Sequence, residues 1–274
     1  RVGNLDGKVA FITGAARGQG RAHAVRLARD GADIIALDIC ADIDSMDYPN
    51  ATPADLEETV KLVEDQGRRI VARQADVRDA DAVDAVVREG VDRFGRLDIV
   101  VANAGIVRLS PDDDADRRQI FRDIVDVNLV GVWNTGEAAI PHLIAGGRGG
   151  SIVITSSSAG LKGTGTDRAG GQAYAAAKRG LVGLMQVWAN YLGPYSIRVN
   201  TIHPTGVASG MTMNEAMAKM FERNDPALSS MQNLLPIEIL QPEDIAEAVA
   251  WLVSDAGRFI TGTTWALDAG FSVR

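Results

Sequence analysis

Residues 9–20 read Val9-Ala10-Phe11-Ile12-Thr13-Gly14-Ala15-Ala16-Arg17-Gly18-Gln19-Gly20. An apolar, strand-like run stops at a loop of glycines, and helical periodicity takes over across residues 21–30. Gly14, Gly18 and Gly20 let the backbone turn tightly and come close to an anion. The unpaired amides at the start of the helix and the positive end of its dipole face the same point. A single glycine loop of this kind is as often a plain strand-to-helix turn, so its meaning rests on the residues at the later strand ends.

The same alternation recurs along the chain. Strand-like runs lie at 33–37, 69–72, 97–101, 151–154 and 197–200, with a seventh at 264–267. Amphipathic stretches separate them at 53–66, 80–94, 119–143 and 173–192. Strands divided by helices rather than by hairpin turns specify an α/β fold. The expected form is a Rossmann-like doubly wound parallel sheet of about seven strands with helices on both faces, in one domain spanning 1–274. Three segments break the rhythm. Residues 39–52 form an insertion after the second strand, 160–171 are glycine-rich, and 205–236 gather Met211, Met213, Met217, Met220, Phe221 and Met231. Each follows a strand end, where ligands bind in open α/β sheets.

The chain has 274 residues, 46% of them hydrophobic, enough for one large core. A net charge of -8 disfavours nucleic acid and anionic membrane as partners. Acids and arginines alternate, as at Asp114, Asp116, Arg117 and Arg118, giving a solvated surface. Cys40 is the only cysteine, so neither an intrachain disulfide nor a cysteine metal cluster is expected, and no metal is. Residues 1–7 lack the apolar core of a signal peptide, and no apolar run is long enough to span a membrane. A soluble, cytoplasmic protein is the expectation.

Asp38 stands at the end of the second strand, 20 residues after Gly18 (38 − 18). A carboxylate there accepts the two ribose hydroxyls of an adenosine and repels a 2′-phosphate. Arg17 pulls the other way, since a basic residue in the glycine loop helps bind that phosphate. The unpaired like charges weigh more, so NAD is expected over NADP. Asp76-Val77 and Asn103-Ala104-Gly105 follow the third and fourth strands. Asp76 suits the adenine amino group, and the small pair at 104–105 leaves room for a ribose. Alone, each is an ordinary polar turn.

Tyr174 and Lys178 are four residues apart (178 − 174) on a helical stretch and share one face. A tyrosine, with a pKa of about 10, is a poor base at neutral pH unless a nearby cation favours its phenolate. Lys178 supplies such a charge. Ser157, just past the fifth strand, can donate to a carbonyl or alkoxide oxygen. Asn128 sits mid-helix, where asparagine is a poor helix former and a backbone bond to water would bend the helix.

These residues together make the chain resemble the short-chain dehydrogenase/reductase family over almost its whole length. The shared motifs are TGAARGQG at 13–20, Asp76, NAG at 103–105, Asn128, Ser157, YAAAK at 174–178 and VNTIHPTGV at 199–207. The resemblance implies that Ser157 orients the substrate oxygen and Tyr174 exchanges its proton. Lys178 would bind the nicotinamide ribose and lower the tyrosine pKa, and Asn128 would hold a water in a proton relay. Arg17, Gln19, Pro204, Gly206, Val207 and Ser209 would complete the cofactor contacts, and a homotetramer is implied. Two departures stand out. Ser157 and Tyr174 are 17 residues apart (174 − 157), which leaves Ser156 and Ser158 as alternatives to Ser157. Thr205 also separates Pro204 from Gly206.

Residues 38–79, with GQGRAHA and IHPTGV, are similar to the actinobacterial carveol dehydrogenases, or mycofactocin-coupled short-chain dehydrogenases. That narrower likeness implies NAD held without exchange and reoxidised by mycofactocin, with the insertion 39–52 either folded over the adenosine or a surface loop. The methionines at helical spacing form either a helix packed on the core or a substrate lid. Both make the loop 205–236 apolar and favour a hydrophobic secondary alcohol, such as a cyclic terpenoid, and its ketone. The alternatives are a ketoacyl or steroid reductase and a nucleotide-binding protein without turnover.

Overall fold

The strand that opens the chain's pattern, β1 (Val9–Thr13), sits inside the sheet, with β2 (Asp33–Asp38) on one side and β4 (Ile99–Ala102) on the other. This is a computed structural model, and it describes residues 4–111, 115–163, 167–225, 228 and 232–274. Asp114, Met231, residues 164–166 of the glycine-rich run and 226–227 and 229–231 of the apolar loop lie outside the described residues. With β3 (Ile70–Gln74), β5 (Gly150–Thr155), β6 (Ile197–Pro204) and β7 (Thr264–Leu267), the sheet has seven strands in the order β3-β2-β1-β4-β5-β6-β7. All pairs are parallel.

Strand periodicity divides the core in two. Val9, Phe11, Ile35, Leu37, Val100, Ile152 and Ile154 point to the face covered by α3 (Ala80–Phe94), α4 (Arg117–Val125), α5 (Gly131–Gly146) and α6 (Ala169–Leu192). Ala10, Ile12, Ile34, Ala36, Val101 and Val153 point to the face covered by α1 (Gly18–Arg29), α2 (Pro53–Glu64) and α8 (Pro242–Val253). Burial on both faces explains why these strands read as continuous apolar runs instead of alternating. The strand order reverses between β1 and β4. A crevice opens there at the strand carboxyl ends.

The structure departs from the sequence-based expectation in several places. The helix expected over 119–143 is interrupted by one π-helical turn, Asp126–Val130, in which the Gly131 amide donates to the Asp126 carbonyl. The extra residue is accommodated by a widened turn, and Asn128 sits in it. Helix α8 is an addition to the expected elements, although its signals are local: Pro242 in the first turn, the Gln241/Asp244 capping box, and Ile245, Val249 and Leu252 at helical spacing. The helix α7 (Glu215–Glu222) buries Met217 and Met220. Met213 precedes its Asn214 cap and is exposed, so it belongs to no helical face. Among the described residues no helix is long and apolar enough to cross a membrane.

Candidate functional site

The floor of the crevice is built where β1 ends. Gly14 and Gly18 have positive φ, +67° and +54°, which L side chains rarely adopt. Gly20 has a different reason to be glycine. A Cβ there would run into the Gly14 carbonyl oxygen, so Gly20 lets α1 pack on the end of β1 and is itself buried. Gly14, Arg17, Gly18 and Gln19 line the crevice, and Gly20 does not. The first turn of α1 carries no acidic residue and no side-chain cap. Its amides are therefore available to an anion. Gln19 Oε1 is buried without a partner among the described residues, an acceptor left over beside the same turn.

Asp38 ends β2 with both oxygens aimed by backbone amides: Ala16 N donates to Oδ2 at 3.0 Å and Cys40 N to Oδ1 at 3.1 Å. The carboxylate is buried and lines the crevice. Arg17 extends away from this role, its Nη2 donating to the Pro49 carbonyl at 2.7 Å. Asp76 is clamped by Arg78, whose backbone N and Nε donate to it at 2.9 and 2.8 Å. Asn103 Nδ2 donates to the Thr13 carbonyl, while Thr13 Oγ1 accepts from Asn103 N and Ala104 N. These bonds stitch β4 to β1 under the crevice. Asp76, Val77, Asn103, Ala104, Gly105 and Ser209 all line it. Pro204 and Val207 are buried and Gly206 exposed at the end of β6, none of them lining the crevice.

The insertion 39–52 is part of the wall. Ile39, Ile43, Tyr48, Asn50 and Ala51 face the crevice beside Asp38. Long-range bonds fix it there. Ser45 Oγ donates to Asp123 at 2.6 Å, Arg108 Nη1 to the Ser45 carbonyl at 3.0 Å, and Val107 N to the Tyr48 hydroxyl at 3.2 Å. A decorative surface loop would lack this anchorage. Nothing local in the sequence singles out Tyr48, because its partner is 59 residues away.

Tyr174 and Lys178 stand one turn apart on α6, and the Ser157 hydroxyl lies close enough to the Tyr174 phenol to lower its pKa. Ser157 is the partly exposed member of its serine run. Ser156 Oγ is buried and spent on the Lys178 carbonyl at 2.8 Å, and Ser158 is buried. Of the three serines, Ser157 is the one that lies beside the Tyr174 phenol. His203, also unforeseen, braces it: Nδ1 meets the Ser157 carbonyl at 2.8 Å and Nε2 meets Thr201 Oγ1 at 2.8 Å. Asn128 is fully buried. Its amide pairs both ways with Ile106, accepting from N and donating to O at 2.8 Å each. Gly105 is where the groups converge, since a Cβ there would lie 3.2 Å from Asn128 Oδ1 and 3.4 Å from Lys178 Nζ.

Electrostatics temper the expectation of a fixed charge beside the tyrosine. Burial pushes the Lys178 amine down to about 7. Burial also raises the Tyr174 phenol, opposed by the neighbouring Ser157 hydroxyl. In a desolvated pocket neither ion forms easily without added charge.

A profile of the short chain dehydrogenase family matches residues 8–219. An uncharacterized oxidoreductase of Mycobacterium tuberculosis is 56% identical over 268 residues, covering 97% of each chain. The (-)-trans-carveol dehydrogenase of Rhodococcus erythropolis is 43% identical over 281 residues and 100% of both chains. A crystal structure of carveol dehydrogenase from Mycobacterium avium in complex with NAD superposes with a TM-score of 0.92 at 46% identity, covering 99% of this chain and 100% of the other.

Proposed function

This chain belongs to the short-chain dehydrogenase family and is an NAD-dependent oxidoreductase of it; on that footing we propose that it interconverts a hydrophobic secondary alcohol, of the cyclic terpenoid kind that carveol represents, with its ketone. The observation that carries the reading is Ser157 beside Tyr174 with Lys178 buried one turn on, next to Gly105 of the glycine-floored crevice. The residues present fit the cofactor. The uncapped first turn of α1 at Gly18 and Gln19, with Gly14 in the loop after β1, suits a pyrophosphate, and Asp38 suits the diol of an adenosine ribose. Asp76, Val77, Asn103, Ala104 and Gly105 would line the adenine and ribose. Pro204, Gly206, Val207 and Ser209 would adjoin the nicotinamide, whose ring accepts the hydride when NAD is bound.

In this reading Ser157 donates to the substrate oxygen and Tyr174 takes the alcohol proton, returning it in the reverse direction. Lys178 holds the nicotinamide ribose and favours the phenolate. Asn128 keeps the Ile106 backbone, and with it the Gly105 approach, in place. Helix α7, within the loop 205–236, covers the alcohol. The wall formed by residues 39–52 supports slow release of NAD, with mycofactocin as the reoxidant. Exposed Phe121 and Trp133, with Val187 and Tyr191 on α6, support burial in a homotetramer. A cytoplasmic setting fits the single, buried thiol of Cys40.

The test is alcohol-dependent reduction of an artificial electron acceptor by wild type and Tyr174→Phe, with NAD assayed in the supernatant of each denatured protein. We expect both to carry NAD and the variant to lose roughly a hundredfold or more in turnover. Full activity in the variant would remove Tyr174 from the mechanism. Protein purified without NAD that turns over rapidly once NAD is added would remove the non-exchanging cofactor.

A further inference from the structure

Beyond Tyr48 the crevice gives way to a second, narrower cavity. Tyr48 and Met211 line both. Val107, Leu109, Ala216, Met217 and Met220 complete its apolar wall, and Asp47, Ser110 and Asn214 form its polar side. Its volume is about 10 Å³, room for roughly one water. An alcohol of any size enters only if part of the wall gives way.

The two kinds of wall differ in how they can give. Methionine is unbranched, with several soft torsions, and repacks around shapes of different outline. Tyr48 has a rigid ring and is held at several points. Its hydroxyl accepts from Val107 N at 3.2 Å, the adjacent Asp47 carboxylate accepts from the Ser110 hydroxyl, and Asn50 N donates to Asp42 Oδ1 at 2.8 Å. The side chain is buried, 9% exposed, and burial pushes its phenol up to about 12, so it is uncharged at physiological pH. When a ligand presses on both walls, the methionines yield and the ring does not.

We propose that Tyr48, a residue of the insertion, is a specificity-determining residue of the alcohol site. Its ring is the fixed partition between the cofactor crevice and the methionine-lined cavity, and it sets an upper size for the apolar alcohol. The proposal rests on the reading that the alcohol occupies the methionine side. It adds that the segment walling the cofactor also selects the substrate.

The experiment uses the NAD-holding full chain and three secondary alcohols of rising bulk: 2-butanol, cyclohexanol and a fused two-ring alcohol. Binding is read by calorimetry and oxidation with an artificial acceptor, for wild type, Tyr48→Phe, Tyr48→Ala and Tyr48→Trp. Tyr48→Ala should raise the preference for the two-ring over the one-ring alcohol at least roughly tenfold. Tyr48→Phe, which keeps the ring, should leave that preference within about threefold. If the alanine variant fails to fold or hold NAD, Tyr48→Trp carries the test, with a roughly tenfold loss of cyclohexanol relative to 2-butanol expected. An unchanged preference in the folded alanine or tryptophan variant overturns the partition while leaving the alcohol reading intact. A shift in Tyr48→Phe as large as in Tyr48→Ala also overturns it, by assigning selection to the hydroxyl. Wild type that neither binds nor oxidises any of the three overturns the underlying reading and this proposal with it.

Discussion

Lys178 Nζ donates to the Thr155 carbonyl at 2.7 Å while the Tyr174 ring centroid lies 5.6 Å away, so the ammonium is pegged to the end of β5 and reaches the tyrosine only through space. Lys178 is 3% exposed, and burial dominates its titration.

That burial makes a charged Lys178 costly to stability. Its folded pKa, about 7, lies below the ordinary lysine value of 10.5, so the unfolded chain binds more protons between those values. Stability of the ligand-free protein should rise with pH across that window, and the penalty should be fully present below about 7. Lys178→Met removes the penalty at the cost of leaving the Thr155 carbonyl unpaired, about 1–3 kcal/mol. The net expectation at pH 7 is a gain on the order of 1 kcal/mol together with near-complete loss of turnover. Denaturant melts at pH 7 and pH 10 check the sign: the advantage of the variant should shrink at the higher pH.

At Asp38, both oxygens accept backbone amides, so Asp38→Asn turns an amide NH₂ toward Ala16 N or Cys40 N. The expected cost is about 1–3 kcal/mol of stability. Loss of the charge should narrow the preference for NAD over NADP by roughly tenfold. Fluorescence titration of cofactor-stripped protein with each dinucleotide measures this, and an unchanged ratio would mean that Asp38 does not face the ribose.

The segment just past α7 is tied to the start of α6 through Arg168, six residues before Tyr174 (174 − 168). Arg168 Nη2 meets Asp225 Oδ2 at 2.6 Å just past α7, and Nη1 donates to the Leu109 carbonyl at 2.5 Å. Asp225→Asn should loosen α7 over the alcohol side, raising KM for the alcohol by roughly fivefold with kcat within about twofold. Removing one partner of this largely buried pair should cost about 3 kcal/mol of stability. Steady-state kinetics that show a fall in kcat with KM unchanged would place Asp225 in the chemical step instead.

Gly20 and Gly67 separate two reasons for glycine. An added methyl at Gly20 meets the Gly14 carbonyl oxygen, whereas at Gly67, with φ +71°, it meets nothing within 4 Å. Gly67→Ala should cost about 1 kcal/mol from backbone conformation alone. Gly20→Ala should cost about 3 kcal/mol or more, because α1 must lift off β1. Urea midpoints of the two variants, compared in the cofactor-stripped protein, give the difference directly.

The features legible in the chain before folding lie within reach of local periodicity. Apolar runs of strand length divided by 3.6-residue patterns specified seven strands, most of both helix layers and the crevice loops, and the four-residue spacing put Tyr174 and Lys178 on one face. Asp38 and the glycines were legible because they sit at fixed offsets from a strand end. Which of three consecutive serines faces Tyr174 was open until the fold was in place, since the choice turns on Ser156 being taken by a carbonyl 22 residues away. The same holds for Arg17 reaching the insertion, for Asn128 pairing with Ile106, and for Tyr48 standing between two cavities. Such contacts join segments distant in the chain, and their geometry exists only once the sheet has brought its strand ends together. The titration of Lys178 belongs with them, because desolvation is a property of everything packed around the amine and of no residue near it in sequence.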